Sequence, residues 1–237
     1  AFLLFNRITK LVEKHGAEMM DYLIGPYTGR LMPPLATIDL VGLDIHKAII
    51  ESLYKHTNDS MHNNLILPKY IMKMIDNGTL GRKTKCGFYK KLESGKYVFM
   101  NPETCDYIPA IKPHVAFVEK AKQLIRMGMY KEAFNVIKTA HCEEADIVMD
   151  FLCTYVTYSY SRIGEVTKSE YGIQGIDQVM SYGFNWAPPS LIVKILGGKQ
   201  SVIELLEEKG FDVPKALIEE NKKSKQISNT GKYFVAK

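Results

Sequence analysis

The residues able to do chemistry in this chain are few and scattered. The six histidines, His15, His46, His56, His62, His114 and His141, form no H-E-x-x-H pattern or other compact ligand set, so spacing predicts no metal site. His141 and Cys142 stand side by side ahead of a helical segment, where a helix-terminus or surface role is expected before a ligand or nucleophile role. Asp39 and Asp44 lie five apart around Gly42. Two carboxylates there could share acid–base work, but capping and turn roles suit them better. The glycines of GTLGRKTKCG make neither G-x-G-x-x-G nor a phosphate loop: they follow a helix, and no Gly-Lys-Ser/Thr comes at the right place. Tyr155, Tyr158 and Tyr160 read as core or interface rings before a base-stacking platform, and Trp186 beside Pro188-Pro189 as a packing anchor.

The elements that position these residues are mostly helical. Residues 2–15 keep Leu4, Ile8, Leu11 and Val12 on one face. A short helix over Ala17–Ile24 stops at Gly25-Pro26, and Pro33-Pro34 opens an element running to Leu43. Asp44 is placed to cap IHKAIIESLYKH, Pro68 to open PKYIMKMIDNG, and Gly78 to stop it. Residues 77–110 are rich in Gly, Lys and Tyr, and FYKKLESGKYVFM predicts a hairpin around Ser94-Gly95. Helices resume at Pro113, with Val115, Val118, Ala121 and Ile125 on one face, and continue over Met129–Thr139 and from Cys142 to about Thr167. Further helices are expected at Ile173–Tyr182, Pro188–Leu196, SVIELLEE (with Ser201 and Glu204 spaced as a capping box) and after Pro214. The tail from Asn221 is polar and expected to be loose until Tyr233-Phe234.

Two stretches say the same thing twice. Setting Pro34 on Pro189 puts Gly42 on Gly197 without a gap, and the same offset puts Arg7-Ile8 on Arg162-Ile163. Pro68-Lys69 and Gly87-Phe88-Tyr89 have counterparts in Pro214-Lys215 and Gly231-Lys232-Tyr233. A period this long points to a duplicated domain, since solenoid repeats are much shorter. The division expected is 1–110, a first helical domain with linker, and 111–237, a second, degenerate copy. FLCTYVTYSYSRIGEV alone could be a strand; its place opposite the opening helix of the first copy argues for a buried helix.

At 237 residues, 46% hydrophobic and 24% charged, the chain has apolar material for two cores and is not a disordered composition. The net charge of +5 is mild, with small basic clusters at Arg82–Lys85 and Lys222–Lys225. These read as solvated faces; charge alone does not choose among a phosphorylated cofactor, nucleic acid and no ligand. Cys86, Cys105, Cys142 and Cys153 include no C-x-x-C pair and read as reduced cytoplasmic thiols. No run approaches the roughly 20 apolar residues of a membrane span, and no signal peptide opens the chain. The opening AFLLFNRITKLVEKHG, without Met or N-cap, reads as a helix cut into, which suggests a fragment or processed product.

GPYTGRLMPPLATIDLVGLD followed by LPKYIMKMIDNGTLGRKTKCGFYK resembles the C-terminal domain of the 3-hydroxyacyl-CoA dehydrogenases. Met32, Pro34 and Asp39–Asp44 match one motif of that family; Gly81, Lys83, Thr84, Gly87, Phe88 and Tyr89 match another. IDQVMSYGFNWAPP resembles the degenerate repeat of long, tandem-repeat members. The resemblance implies an all-α fold, similar to the C-terminal domain of 6-phosphogluconate dehydrogenase, in two tandem repeats with a small irregular or hairpin linker. Pro33 and Lys85 stand where the family usually has Gly, and Lys194 and Lys199 stand opposite Asp39 and Asp44.

The activity implied is NAD-dependent oxidation of 3-hydroxyacyl-CoA to 3-ketoacyl-CoA in fatty-acid oxidation. NAD and the catalytic His–Glu pair would belong to an N-terminal NAD-binding domain and not to this chain, which alone is expected to be inactive, with no catalytic, cofactor or metal residue of its own. Asn6 in FNRI suggests the family's active-site Asn, but it stands roughly ten residues too close to DLVGLD, nearly three helical turns of chain. The resemblance implies that the helical part closes over the acyl chain, and Tyr27, Arg30, Met32, Pro33 and Pro34 are the residues expected to face substrate. Arg30 could meet a CoA phosphate or lie in solvent, and the prolines could simply form a rigid turn. The partners implied are the acyl-CoA, the NAD-binding domain, and an internal pseudo-dimer or a homodimer, with no nucleic acid and no membrane. A non-catalytic dimerisation scaffold and a related β-hydroxyacid dehydrogenase are the alternatives.

Overall fold

Paired prolines start a helix in both halves of the chain, because a ring at the first helical position fixes φ where no N–H is needed. The computed structural model describes residues 1–58, 61–219 and 230–236; the basic run Lys222–Lys225 and the polar tail from Asn221 to residue 229 lie outside the described residues. The chain divides into two units, one made of residues 1–24 and 32–113, the other of residues 25–31 and 114–237. The described fold is mostly helical with one small sheet.

The first unit contains α1 (Phe2–Thr9), α2 (Val12–His15), α3 (Ala17–Leu23), α4 (Pro34–Val41), α5 (Leu43–His56) and α6 (Lys69–Asp76). The expected single helix over 2–15 is broken at Lys10-Leu11, so α1 and α2 are separate pieces. Its core comes from Leu4, Ile8, Val12, Met20, Leu23, Leu35, Leu43, Ile50, Ile71 and Phe88, each at most 1% exposed. Asn6 is buried on α1, where its amide donates to the carbonyls of Asn64 and Ile66 (2.6 and 3.0 Å). Its Oδ1 lies 3.3 Å from Nε2 of buried His46, whose pKa burial lowers to about 4, so the ring is neutral near pH 7. Asn6 thus ties α1 to the 62–66 turn. The hairpin expected around Ser94-Gly95 is present as β1 (Tyr89–Lys91) and β2 (Tyr97–Met100), antiparallel with Tyr89 opposite Phe99. A third antiparallel strand, β3 (Tyr107–Pro109), pairs with β2 and was not anticipated. Glu18 accepts the amides of Ile111 and Lys112 (2.7 and 3.0 Å), fixing the end of this unit.

The second unit contains α7 (Ala116–Arg126), α8 (Tyr130–Lys138), α9 (Glu143–Ser161), α10 (Gly172–Gln178) running into a π-turn at Val179–Gly183, α11 (Pro189–Ile195), α12 (Lys199–Glu208) and α13 (Lys215–Glu219). The β-branched, aromatic stretch expected to be a buried helix is α9, with Phe151, Leu152, Val156 and Tyr160 at most 1% exposed. Burial on nearly all sides explains why its sequence shows little helical periodicity. Ser201 does not cap α12, which starts two residues earlier after Gly198. The turn Gly25–Leu31 belongs to this unit despite its place in the sequence. The amide of Ala187 donates to the Gly29 carbonyl at 2.7 Å, and that of Val235 to Pro26 at 3.3 Å.

Candidate functional site

α4 opens with Pro33 in extended backbone and Pro34 at its first position. Its early amides reach a carboxylate from another helix: Asp21 on α3 accepts from Leu35 N at 2.7 Å and Ala36 N at 2.9 Å. That arrangement satisfies two donors that every helix start leaves over and places negative charge at the positive end of the peptide dipoles. The phenolic hydroxyl of Tyr89 donates to the same carboxylate. Burial, then the charge of Asp21, pushes the Tyr89 pKa well above its ordinary value, so the ring stays a donor.

The loop that carries Tyr89 is clasped onto α4. Asp39 accepts from Phe88 N at 2.9 Å and Tyr89 N at 3.0 Å while only 4% exposed. Gly87 allows this approach: a Cβ there would lie 2.1 Å from Asp39 Oδ1. Burial raises the Asp39 pKa to about 7; the two amides and Arg82 pull the other way, and Asp21 adds to the rise. Loss of hydration therefore outweighs two good hydrogen bonds. Asp44 was expected to cap α5, but α5 begins after Gly42 and has no side-chain cap. Asp44 instead pairs with Lys83 of the loop at 2.5 and 2.6 Å, and that contact lowers its pKa. Leu43 N donates to Leu80 O at 3.2 Å beside it. The two sequence motifs are two faces of one clasp.

The five residues expected to face substrate fall into two groups. Met32 and Pro33 are half-buried and Pro34 is buried at the start of α4, in the first unit. Tyr27 and Arg30 lie in the second unit, 0% and 1% exposed. The Arg30 guanidinium sits 4.1 Å from the Phe151 ring centroid and 4.7 Å from that of Trp186. This is cation–π packing deep in the unit. Trp186 is 3% exposed and meets the Tyr155 ring at 5.4 Å, while Tyr155 OH donates to Ala187 O at 2.8 Å. Asp21 and the side chain of Tyr89 were not among the expected residues. A signal existed: Asp177 holds Ser190 N at 3.1 Å and Ser190 Oγ at 2.5 Å at the start of α11, as Asp21 does for α4, one residue out of register with the repeat.

Among the described residues no three His, Cys, Asp or Glu side chains form a group able to hold a metal ion. The described sheet is antiparallel and short, so it has no parallel-strand crevice at a helix N-terminus of the kind a dinucleotide uses. The described residues therefore do not form the parallel-sheet fold through which a dehydrogenase holds NAD.

Proline-led helices joined by a carboxylate-bound loop define a helical domain class, and comparison shows which family it resembles. A family model for the 3-hydroxyacyl-CoA dehydrogenase C-terminal domain matches residues 1–91. The chain is 28% identical over 221 residues, 91% of its length, to a Bacillus subtilis (strain 168) protein described as a probable 3-hydroxyacyl-CoA dehydrogenase, covering 27% of that protein. It is 28% identical over 207 residues, 83% of its length, to a Rickettsia prowazekii (strain Madrid E) protein described as a trifunctional enzyme of the fatty acid oxidation complex, covering 26% of it. Over 58 residues, 24% of the chain, it is 45% identical to a 3-hydroxybutyryl-CoA dehydrogenase of Clostridioides difficile, covering 20% of that protein. The chain thus spans about a quarter of the length of the curated relatives it matches. Residues 1–91 are thus similar to a 3-hydroxyacyl-CoA dehydrogenase C-terminal domain. Through it the chain is related to that oxidoreductase family. Among the described residues no helix is long and apolar enough to cross a membrane.

Proposed function

We propose that these residues form the helical, substrate-closing portion of a cytoplasmic NAD-dependent L-3-hydroxyacyl-CoA dehydrogenase. NAD and the catalytic His–Glu pair are then supplied by a nucleotide-binding domain outside residues 1–237. The family match over 1–91 carries the reading. The network Asp21–Tyr89–Asp39 supports it, because it fixes the Met32–Pro34 turn from behind while leaving Met32 and Pro33 accessible. A wall held in one geometry aligns an acyl chain without paying for reordering at each turnover. Met32 and Pro33 touch the acyl-CoA, with Pro34 behind them as the first residue of α4; Tyr27 and Arg30 serve the core of the second unit. The two copies, 1–110 and 111–237, divide the labour: the second, with Lys194 and Lys199 in place of the clasp carboxylates, is structural.

Calorimetric titration with acetoacetyl-CoA, and in parallel with NADH, tests this. Acetoacetyl-CoA binding that weakens in Met32→Ala is the expected result. Binding of neither ligand favours an assembly role for the helices alone, and NADH binding tighter than that of ADP overturns the assignment of the cofactor to another domain.

A further inference from the structure

Beside the clasp, the first unit has a groove of about 890 Å³. That volume is ample for a small organic ligand. Its walls divide by chemistry. Arg82, Lys85 and Lys91 supply three cations, all exposed. Tyr97 and Phe99 of β2 supply two rings. Tyr97 is 54% exposed, and Phe99 is held edge-on against Tyr89 at 4.9 Å between centroids. Asp39 is the buried polar group at the groove.

Lys85 is the informative residue. It closes the Arg82–Thr84 turn in left-handed backbone, with φ 60° and ψ 8°. A side chain there costs about 1 kcal/mol relative to glycine, so local folding alone would favour glycine. A lysine held at that cost beside two further cations and two rings calls for an anionic partner with a flat body. We propose that this groove binds a phosphate ester carrying a flat ring, its phosphate on Arg82, Lys85 and Lys91 and its ring against Tyr97 and Phe99. Cations beside aromatic faces are the elements that hold nucleotides one at a time, the rings taking the base and the cations the phosphate. Two carboxylates oppose an anion here. Glu93 is exposed and screened by water. Asp39 carries its full charge for only part of the time near neutral pH, since its pKa is about 7. The inference does not depend on the dehydrogenase reading.

The test uses ADP as probe, with inorganic phosphate and adenosine as controls, titrated into the whole chain and followed by calorimetry. ADP is expected to bind more tightly than either control, and added salt to weaken it. Tyr97→Ala should weaken ADP roughly tenfold, the scale of one base–aromatic stack. Lys85→Gly separates a binding role from a folding one: it relieves the left-handed residue, so the thermal midpoint should hold or rise while ADP affinity falls severalfold. The proposal is overturned if ADP does not bind at millimolar concentration, if phosphate binds as tightly as ADP, or if Lys85→Gly binds ADP like the parent.

Discussion

α4 and α11 begin as the same helix and end differently. Both open on paired prolines, and in both an aspartate from the preceding helix accepts at the start, from two amides at α4 and from the amide and hydroxyl of Ser190 at α11. α4 is capped by Gly42 at φ 106°, and α11 is capped by Leu196 with Gly197 following at φ 108°. Between those ends the buried faces disagree. Asp39 is 4% exposed and Leu40 is 52% exposed. Their counterparts reverse this, with Lys194 exposed and Ile195 at 5%. The cause is what lies on top. A clasp loop covers Asp39 and satisfies its carboxylate with two amides, whereas Lys194 meets water. A repeat keeps its helix ends by local chemistry and chooses its buried face by what packs against it.

Paired substitutions can break that comparison. Gly87→Ala should be the most damaging, costing about 3 kcal/mol, because the new methyl meets Asp39 at 2.1 Å. Gly231→Ala, at the matching place, meets only the Tyr130 hydroxyl at 3.0 Å and should cost less than about 1 kcal/mol by urea unfolding. Asp39→Ala at pH 5 leaves the Phe88 and Tyr89 amides without their acceptor, a loss of about 2 kcal/mol; Lys194→Ala should stay within about 0.5 kcal/mol.

The next comparison is with pH. Asp39 releases its proton at the ordinary 3.8 when unfolded and at about 7 when folded. Between those values the folded state holds the extra proton, so its contribution is full below 3.8 and is lost as pH rises to about 7. The slope should be on the order of 1 kcal/mol per pH unit, flattened in Asp39→Asn and unchanged in Lys194→Ala. The smallest effect belongs to Lys83→Ala. The Lys83–Asp44 pair is 44% and 39% exposed, so its loss should cost a few tenths of a kcal/mol and vanish in high salt.

The features legible in the sequence are those set within a few residues. The proline starts, the glycine stops and the Ser94-Gly95 hairpin depend on local backbone preference, and they stand where the residues put them. The capping roles expected of Asp44 and Ser201 were local readings that tertiary structure overrode: Lys83 offers Asp44 a partner, and the helix starts ahead of Ser201. The clasp was half legible, as two motifs in order, without the contacts joining them. What β3 pairs with, and where Arg30 goes, depend on partners far along the chain: Ile108 sits opposite Phe99, and Arg30 between Phe151 and Trp186. No periodicity encodes such pairings.

The turn Gly25–Leu31 has a consequence for how the chain can be divided. Its residues lie between the two segments of the first unit and fold with the second. No single cut therefore separates the gene into two self-sufficient halves. Deleting everything after residue 113 would strip Tyr27 of its surroundings and Arg30 of both rings. A break anywhere between residues 32 and 113 leaves the second unit without the segment that carries Tyr27 and Arg30.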